Sequence, residues 1–265
     1  MAIPTPRTGG AALITGASSG IGAELARQLC ARGHDAVLVA RRRDRLERLA
    51  GELHEQHGRR VEVIACDLAD AGARGQLPAR LAALDLEIDV VALCAGFGLG
   101  GPFVSQPSER IISMVRTNVE AVMALSGLLL PPMAARRSGA VLIVSSMAGN
   151  QPMPNFGAYA ATKAAMTSFA ESLHCELKPS GVTVTALCPG GVTTEFSEVA
   201  GVTGTERRTP AALMISPEEC ARAGLDGLER GRRIVMPRRA VRALAWLGAH
   251  APRAIWLPMC RRLMA

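Results

Sequence analysis

The chain has a single tyrosine, Tyr159, and it stands four residues before Lys163, one of only two lysines among 30 basic residues. With arginine replacing lysine almost everywhere, a lysine that remains is informative. A spacing of four places both side chains on one face of a helix. A phenol titrating near 10 is a poor base at neutrality, but a neighbouring ammonium favours its phenolate by about one to three units and lets it exchange a proton with an oxygen atom. Ser145 and Ser146 end an apolar run, so a hydroxyl there could hold the reacting oxygen. Asn118, flanked by Val115, Val119 and Val122, is unfavourable inside such a helix unless its amide has a task.

A second constellation lies near the N-terminus, where Thr15-Gly16-Ala17-Ser18-Ser19-Gly20-Ile21-Gly22 joins an apolar run to a helical pattern over 23–32. Glycines at Gly16, Gly20 and Gly22 let the chain turn tightly and bring backbone N–H groups and a helix N-terminus up to a pyrophosphate, so this turn predicts dinucleotide binding. After the second apolar run, Arg41 stands where an acidic residue would hold a ribose 2′-hydroxyl, followed by Arg42 and Arg43. A guanidinium suits a 2′-phosphate, which favours NADP(H) over NAD(H), while Arg43 reads as the solvated start of a helix. Asp67 could accept from an adenine amino group or cap a helix.

These residues need a frame, and the apolar runs at 11–15, 36–40, 61–65, 90–94, 140–145 and 182–188 supply it as six strands separated by five segments of helical length. Near-continuous apolar strands are buried on both faces, as in a parallel sheet covered by helices, so the expectation is a doubly wound α/β fold of the Rossmann type. Both constellations then lie at the carboxyl ends of strands, where ligands bind in such sheets. Residues 190–215, rich in Gly, Thr and Ser, read as a lid or a disordered loop. Ser216-Pro217-Glu218-Glu219 is a capping-box start for a helix to about residue 230, and residues 233–236 read as an edge strand.

Composition bounds the alternatives. In 265 residues, 49% apolar and 20% charged, there is ample material for one large core and no sign of disorder. The net charge of +7 comes from scattered arginines, and five Phe, two Trp and one Tyr offer little base stacking, which argues against nucleic acid. Seven cysteines without C-x-x-C spacing read as reduced, buried thiols, and His54 and His57 as solvent-facing rather than as metal ligands. No secretory pattern opens the sequence and no apolar stretch reaches membrane-spanning length, so a soluble cytoplasmic protein is expected.

On the Thr15–Gly22 turn, Asp67, Ala95-Gly96, Asn118, Ser146, Tyr159-x-x-x-Lys163 and Pro189-Gly190 leading to Thr194, the chain resembles the short-chain dehydrogenase/reductase family over residues 10–236. The resemblance implies hydride transfer between NADP(H) and a carbonyl or alcohol, with a lipophilic ketone or 3-oxoacyl compound as substrate. It implies Tyr159 as acid/base, Lys163 lowering its pKa and binding nicotinamide ribose hydroxyls, Ser146 holding the carbonyl and Asn118 positioning a relay water. It prefers Ser146 to Ser145, places Ser18, Ser19, Ile21 and Leu68 with the glycines and Asp67 around the cofactor, and sets Pro189, Gly190, Val192 and Thr194 beside the nicotinamide. A homo-dimer or homo-tetramer through helices at 114–135 and 156–178 is also implied. One departure is Leu93-Cys94-Ala95-Gly96, where the family has Asn-Asn-Ala-Gly, so the hydrogen bonds of that loop must come from elsewhere.

The expected catalytic domain covers 1–237, and residues 238–265 form an amphipathic helical extension. Val241, Leu244, Ala245 and Leu247 could line one side of it, with Trp246, Trp256, Leu257, Met259 and Leu263 giving a greasy, cationic segment. A substrate lid, a subunit contact, a helix packed on its own domain and a peripheral membrane contact all fit it. A cofactor-binding sensor without turnover is the other reading, against which the Ser-Tyr-Lys set argues, since binding alone needs no phenol beside an ammonium.

Overall fold

A computed structural model describes residues 2–202 and 210–263, without the side chain of Leu263. The chain runs β1 (Gly10–Thr15), α1 (Gly20–Ala31), β2 (Asp35–Ala40), α2 (Arg43–His57), β3 (Val61–Ala65), α3 (Ala71–Gly75), α4 (Leu77–Ala82) and β4 (Glu87–Leu93). It continues through α5 (Ser108–Val115), a π turn at Arg116–Glu120, α6 (Ala121–Ala135), β5 (Gly139–Val144), α7 (Gly157–Leu177) and β6 (Val182–Leu187). Then come β7 (Gly191–Val192), α8 (Phe196–Val199), β8 (Met214–Ile215), α9 (Pro217–Glu229), β9 (Ile234–Val235), α10 (Arg239–His250) and α11 (Arg253–Leu263).

Seven strands form one sheet in the order β3-β2-β1-β4-β5-β6-β9, every pair parallel. The apolar runs have no polar face because alternate residues enter two cores. Ala12 and Ile14 of β1 join Leu25, Leu29, Leu46, Leu53 and Leu225 on one side. Ala11 and Leu13 join Leu81, Leu125, Leu129 and Met166 on the other. Each fully buried Leu or Ile contributes about 1.5–3 kcal/mol, so a polar residue on either side of these strands would cost heavily. The expected doubly wound architecture is the observed one.

Three differences have physical causes. β4 begins at Glu87, three residues before the apolar run, because the buried Asp89 carboxylate is paired with Arg7 at 2.9 Å and Arg136 at 3.5 Å. Residues 190–215 are more ordered than expected: β7 and β8 pair with each other, and α8 lies between them, while 203–209 fall outside the described residues. The thiols are not all buried, since Cys175 is exposed and Cys94 half-buried. The expected cap forms, with Ser216 Oγ accepting from the Glu219 N–H at 3.1 Å.

The C-terminal helices rest on the rest of the chain along one face. Val241, Ala245 and Gly248 are buried, whereas Leu247 points to solvent, contrary to its expected place on the packed side. Trp256 also departs from expectation: it is only 2% exposed, and its indole N–H donates to the Pro152 carbonyl at 3.4 Å. Leu244 is half-buried, and Trp246, Leu257 and Met259 remain exposed. One helical stretch, 108–135, is long and apolar enough to cross a membrane, yet α6 within it buries Leu125, Leu129 and Met133 in the core. Trp256→Ala should lower stability by about 3–5 kcal/mol in a single thermal transition, while Trp246→Ala stays within about 0.5 kcal/mol of the parent protein. A second, separate transition in calorimetry of Trp256→Ala would mean that the tail folds apart from the domain.

Candidate active site

The glycine turn is built by steric necessity. Gly16 and Gly20 have φ of +69° and +54°, left-handed values that side chains disfavour. A Cβ on Gly22 would strike the Gly16 carbonyl. Ser19 is the N-cap of α1, but its hydroxyl makes no capping bond. It accepts instead from the Arg42 guanidinium at 2.8 Å, so the first N–H groups of α1 and the positive end of its dipole remain available to an anion. Ser18 Oγ accepts from the same guanidinium at 3.0 Å. Ile21 packs against the core behind the turn.

The arginine aimed at the turn is therefore Arg42 and not Arg41, whose side chain is exposed. Arg42 and Arg45 both meet Glu195, at 2.8 and 2.5 Å, and these guanidiniums hold its carboxyl down at about 2. At the end of β3, one Asp67 oxygen accepts from the Ala69 N–H at 2.9 Å, and it is Asp70 that caps α3. Leu68 is buried, its carbonyl accepting from Arg74.

After β4, the missing amides of the Cys94-Ala95 loop are replaced by Thr15. Its hydroxyl accepts from the N–H groups of Cys94 and Ala95, each at 3.0 Å, and so locks this loop to the glycine turn. The next residue, Gly96, must lack a side chain, because a Cβ would stand 2.9 Å from Asn118 Oδ1 and 3.4 Å from Lys163 Nζ. Asn118 lies in the π turn between α5 and α6, 1% exposed. Its amide accepts from the Phe97 N–H at 3.1 Å and donates to the Phe97 carbonyl at 2.9 Å and Thr162 Oγ1 at 3.0 Å. The task expected of this amide is thus a clamp between the loop after β4 and α7.

The two serines after β5 divide their work. Ser145 Oγ donates to the Lys163 carbonyl at 2.9 Å and meets Thr167 Oγ1 at 2.7 Å, fixing α7 to the strand. Ser146 Oγ caps the turn after β5, accepting from the Ala148 N–H at 3.1 Å, and stands near enough to the Tyr159 phenol to favour its ionised form. Burial raises that phenol to about 12, and Ser146 lowers it only in part. The lowered phenol expected from a neighbouring ammonium is therefore not found. Lys163 Nζ lies 5.8 Å from the ring centroid and donates to the Val144 carbonyl at 2.9 Å. Burial pushes this lysine down to about 8. Among the described residues Val144 is its hydrogen-bond partner, which leaves two of three N–H donors for a ligand.

Phe156 and Phe196 flank the phenol ring at 6.2 and 5.3 Å, within an apolar cluster that includes Phe97, Leu99 and Met153. The segment after β6 completes the site. The Pro189 carbonyl accepts from the Met147 N–H at 2.9 Å, Gly190 abuts Val241 and Leu213, and Val192 pairs with Ile215. Thr194 lies against the glycine turn, its Cγ2 3.0 Å from where a Gly20 Cβ would stand. The structure thus gathers the predicted residues along one sheet edge, Arg41 among them just after β2 with an exposed side chain. Sequence reading missed Arg45, Glu195 and Phe196 as site residues and passed over Arg42. The arginine run marked the region, but Glu195 lies 153 positions from Arg42 and carries no local signal. His54 is exposed as expected whereas His57 is half-buried, and no cluster among the described residues could hold a metal ion.

A family model described as "short chain dehydrogenase" matches residues 10–202. The very-long-chain 3-oxoacyl-CoA reductase of Anas platyrhynchos is 35% identical over 201 residues, 74% of this chain and 64% of that protein, so the chain spans just under two thirds of its length. Among solved structures, a short-chain dehydrogenase from Sphingobium yanoikuyae in complex with NADPH superposes with a TM-score of 0.81 at 34% identity, covering 90% of this chain and 92% of that one. A bulky-bulky ketone specific alcohol dehydrogenase from Comamonas testosteroni does so with a TM-score of 0.75 at 28% identity, covering 92% and 98%.

With one tyrosine in the chain, phenolate absorbance reports Tyr159 alone. In ligand-free protein it should begin to titrate at least about one pH unit above the same chain unfolded in urea, and Ser146→Ala should move it higher still. A phenol titrating at or below the unfolded value would show that Lys163 and not burial governs it.

Proposed function

Since the chain belongs to the short-chain dehydrogenase family, we propose that it is an NADP(H)-dependent oxidoreductase that reduces a lipophilic ketone or 3-oxoacyl compound to the alcohol. The observation that carries this reading is the buried Ser146–Tyr159–Lys163 set at the carboxyl end of β5 and the head of α7. The site fits the cofactor on three counts: the uncapped N-terminus of α1, the unused donors of Lys163, and the arginines beyond β2. Bound NADPH supplies the hydride. Asp67, Leu68, Ala95 and Gly96 line its adenosine and ribose side in this reading, and Pro189, Gly190, Val192 and Thr194 its nicotinamide side. Arg42 and Arg45 take over the 2′-phosphate contact first expected of Arg41.

The chain's own groups then hold the substrate oxygen and give it a proton. Ser146 Oγ hydrogen-bonds the carbonyl oxygen, and the Tyr159 hydroxyl donates its proton there as the carbonyl carbon is reduced. With its phenol raised by burial, Tyr159 holds its proton at neutrality and has it to give to a carbonyl oxygen. Lys163 loses its charge above about 8, so the reduction rate should fall as pH rises through that value. Asn118 holds the loop and α7 in register and can position a relay water beside Lys163 in this reading. The ring of Phe97, Leu99, Met153, Phe156 and Phe196 supports an apolar substrate, in keeping with the names of the Anas and Comamonas proteins. Exposed Ile112, Val115 and Met123 on α5 and α6 support a homo-oligomer that covers them. Free thiols support a cytoplasmic location.

A second reading concerns the tail from residue 238 onward, which bears the helices Arg239–His250 and Arg253–Leu263. Trp246 and Ile255 are 64% and 65% exposed. Arg238 pairs with Glu219 at 3.0 Å, while the tail itself holds no Asp or Glu for Arg239, Arg242, Arg253, Arg261 and Arg262. A cationic surface bearing an exposed tryptophan suits peripheral contact with anionic lipid. Because Val241 and Trp256 pack on the loops of the site, point substitutions test this better than truncation. Trp246→Ala with Arg242→Glu should cut sedimentation with phosphatidylserine vesicles at low salt, leaving reduction of a small soluble ketone intact. A parent protein that fails to bind such vesicles at low salt ends the membrane reading.

For the chemistry, Tyr159→Phe should lower turnover by about two or more orders of magnitude while the NADPH dissociation constant stays within a few-fold. Turnover near that of the parent, measured by NADPH oxidation over 3-oxoacyl compounds and ketones of increasing chain length, would remove Tyr159 from the mechanism.

A further inference from the structure

The glycine turn is bridged by a carboxylate from the far side of the chain. Glu195 lies between Thr194, which touches Gly20, and Phe196, which touches the Tyr159 ring. Its two oxygens meet different guanidiniums, Oε2 that of Arg42 at 2.8 Å and Oε1 that of Arg45 at 2.5 Å. Arg42 also holds Ser18 and Ser19 of the turn, so the carboxylate docks directly on the rim of the proposed cofactor site. Two guanidiniums converging on one planar anion is the geometry by which arginines recognise phosphates and carboxylates alike. One carboxylate leaves the arginine pair with a net positive charge, which a phosphate dianion would neutralise more fully.

We propose that Glu195 is an internal competitor for the 2′-phosphate of NADP(H), occupying Arg42 and Arg45 until the cofactor displaces it. The proposal rests on the NADP(H) reading and adds a residue that sets cofactor selectivity. NADH carries only a neutral 2′-hydroxyl for these arginines and leaves the Glu195 contacts in place, whereas NADPH must exchange one anion for another. Part of the advantage that the arginines give NADPH is thereby spent on releasing Glu195. The exchange also reaches the reacting centre, because Phe196 follows Glu195 directly and packs both on Tyr159 and against Gly98. A carboxylate freed from the arginines unties the N-terminal end of α8 from the glycine turn, so occupation of the 2′-phosphate site loosens the segment that bears Phe196.

Equilibrium binding of NADPH, NADH and 2′,5′-ADP to Glu195→Gln tests this without relying on turnover. The expected result is about two- to fivefold tighter NADPH and 2′,5′-ADP, the upper part of the range that an exposed ion pair spans, with NADH unchanged. Hydrogen exchange over 191–202 gives a second readout. In the parent protein 2′,5′-ADP should speed exchange there, and in Glu195→Gln exchange should already be fast and insensitive to that ligand. Unchanged or weakened NADPH binding in Glu195→Gln would overturn the proposal, as would exchange in the parent protein that 2′,5′-ADP slows or leaves alone. Arg42→Ala separates the two levels of the argument. If it leaves the preference for NADPH over NADH intact, the 2′-phosphate reading itself fails. If it abolishes that preference while Glu195→Gln does nothing, only the competitor role fails.

Discussion

A lysine ammonium 5% exposed, with one backbone carbonyl as its hydrogen-bond partner among the described residues, is the constraint around which this molecule is arranged. Removing a charge from water costs several kcal/mol unless partners compensate, and the lowered Lys163 is the visible sign of that cost. The surroundings are shaped to admit the side chain at all. Gly96 lacks a Cβ that would press on the Nζ, and Gly149 lacks one that would strike the Lys163 carbonyl. The Ser145 and Thr167 hydroxyls both donate to the Lys163 carbonyl and so fix this turn of α7 at the end of β5. A group held this way at the expense of stability is what proton chemistry demands and what a purely structural core avoids.

The phenol depends on the same packing from the other side. Tyr159 is buried between two phenylalanines, and its raised pKa follows from that dry wall. The wall is assembled from distant segments: the loop after β4, the 3-10 turn after β5 and the segment after β7. Each is fastened by one inexpensive polar device. Thr15 holds the first to the glycine turn, the Asn118 clamp in the π turn holds it to α7, and the Pro189 carbonyl holds the second to the segment between β6 and β7 that leads into the third. A π turn is a costly irregularity that persists where a site needs it, and here it places an amide where a regular helix would not. The C-terminal helices brace this assembly from behind through Val241 on Gly190 and Trp256 on Pro152.

The arginine-rich composition works differently at the two ends of the sheet. At the amino ends of the strands, Arg7 and Arg136 neutralise buried Asp89 and allow β4 to begin on a charged residue. At the carboxyl ends, Arg42 and Arg45 are half-exposed and share one carboxylate, so they keep positive charge in reserve beside a helix N-terminus. The first arrangement is closed, the second open to exchange with an anion, and the difference lies in solvent access rather than in residue type.

Much of this was readable from the chain alone. Strand runs without a polar face dictated a parallel sheet buried on both sides, and the glycine spacing dictated a turn that only such a sheet presents to a ligand. Tyr159 and Lys163 were legible because a helix fixes the relation of residues four apart, whatever the rest of the fold does. Ser216 and its capping box were legible for the same reason, since the interaction is local. What the sequence left open were relations across long separations in the chain and the directions of side chains. Which of Arg41 and Arg42 faces the turn depends on the path of the backbone leaving β2. The raised phenol depends on burial by Phe196, 37 residues beyond Tyr159 in the chain. Glu195 on Arg42, Trp256 under Pro152 and Asp89 between two arginines are contacts made by tertiary packing, and periodicity carries no record of them. Local geometry determined which chemistry was possible; desolvation and long-range charge pairing, which only the folded chain creates, decided in what protonation state and against what partners it stands.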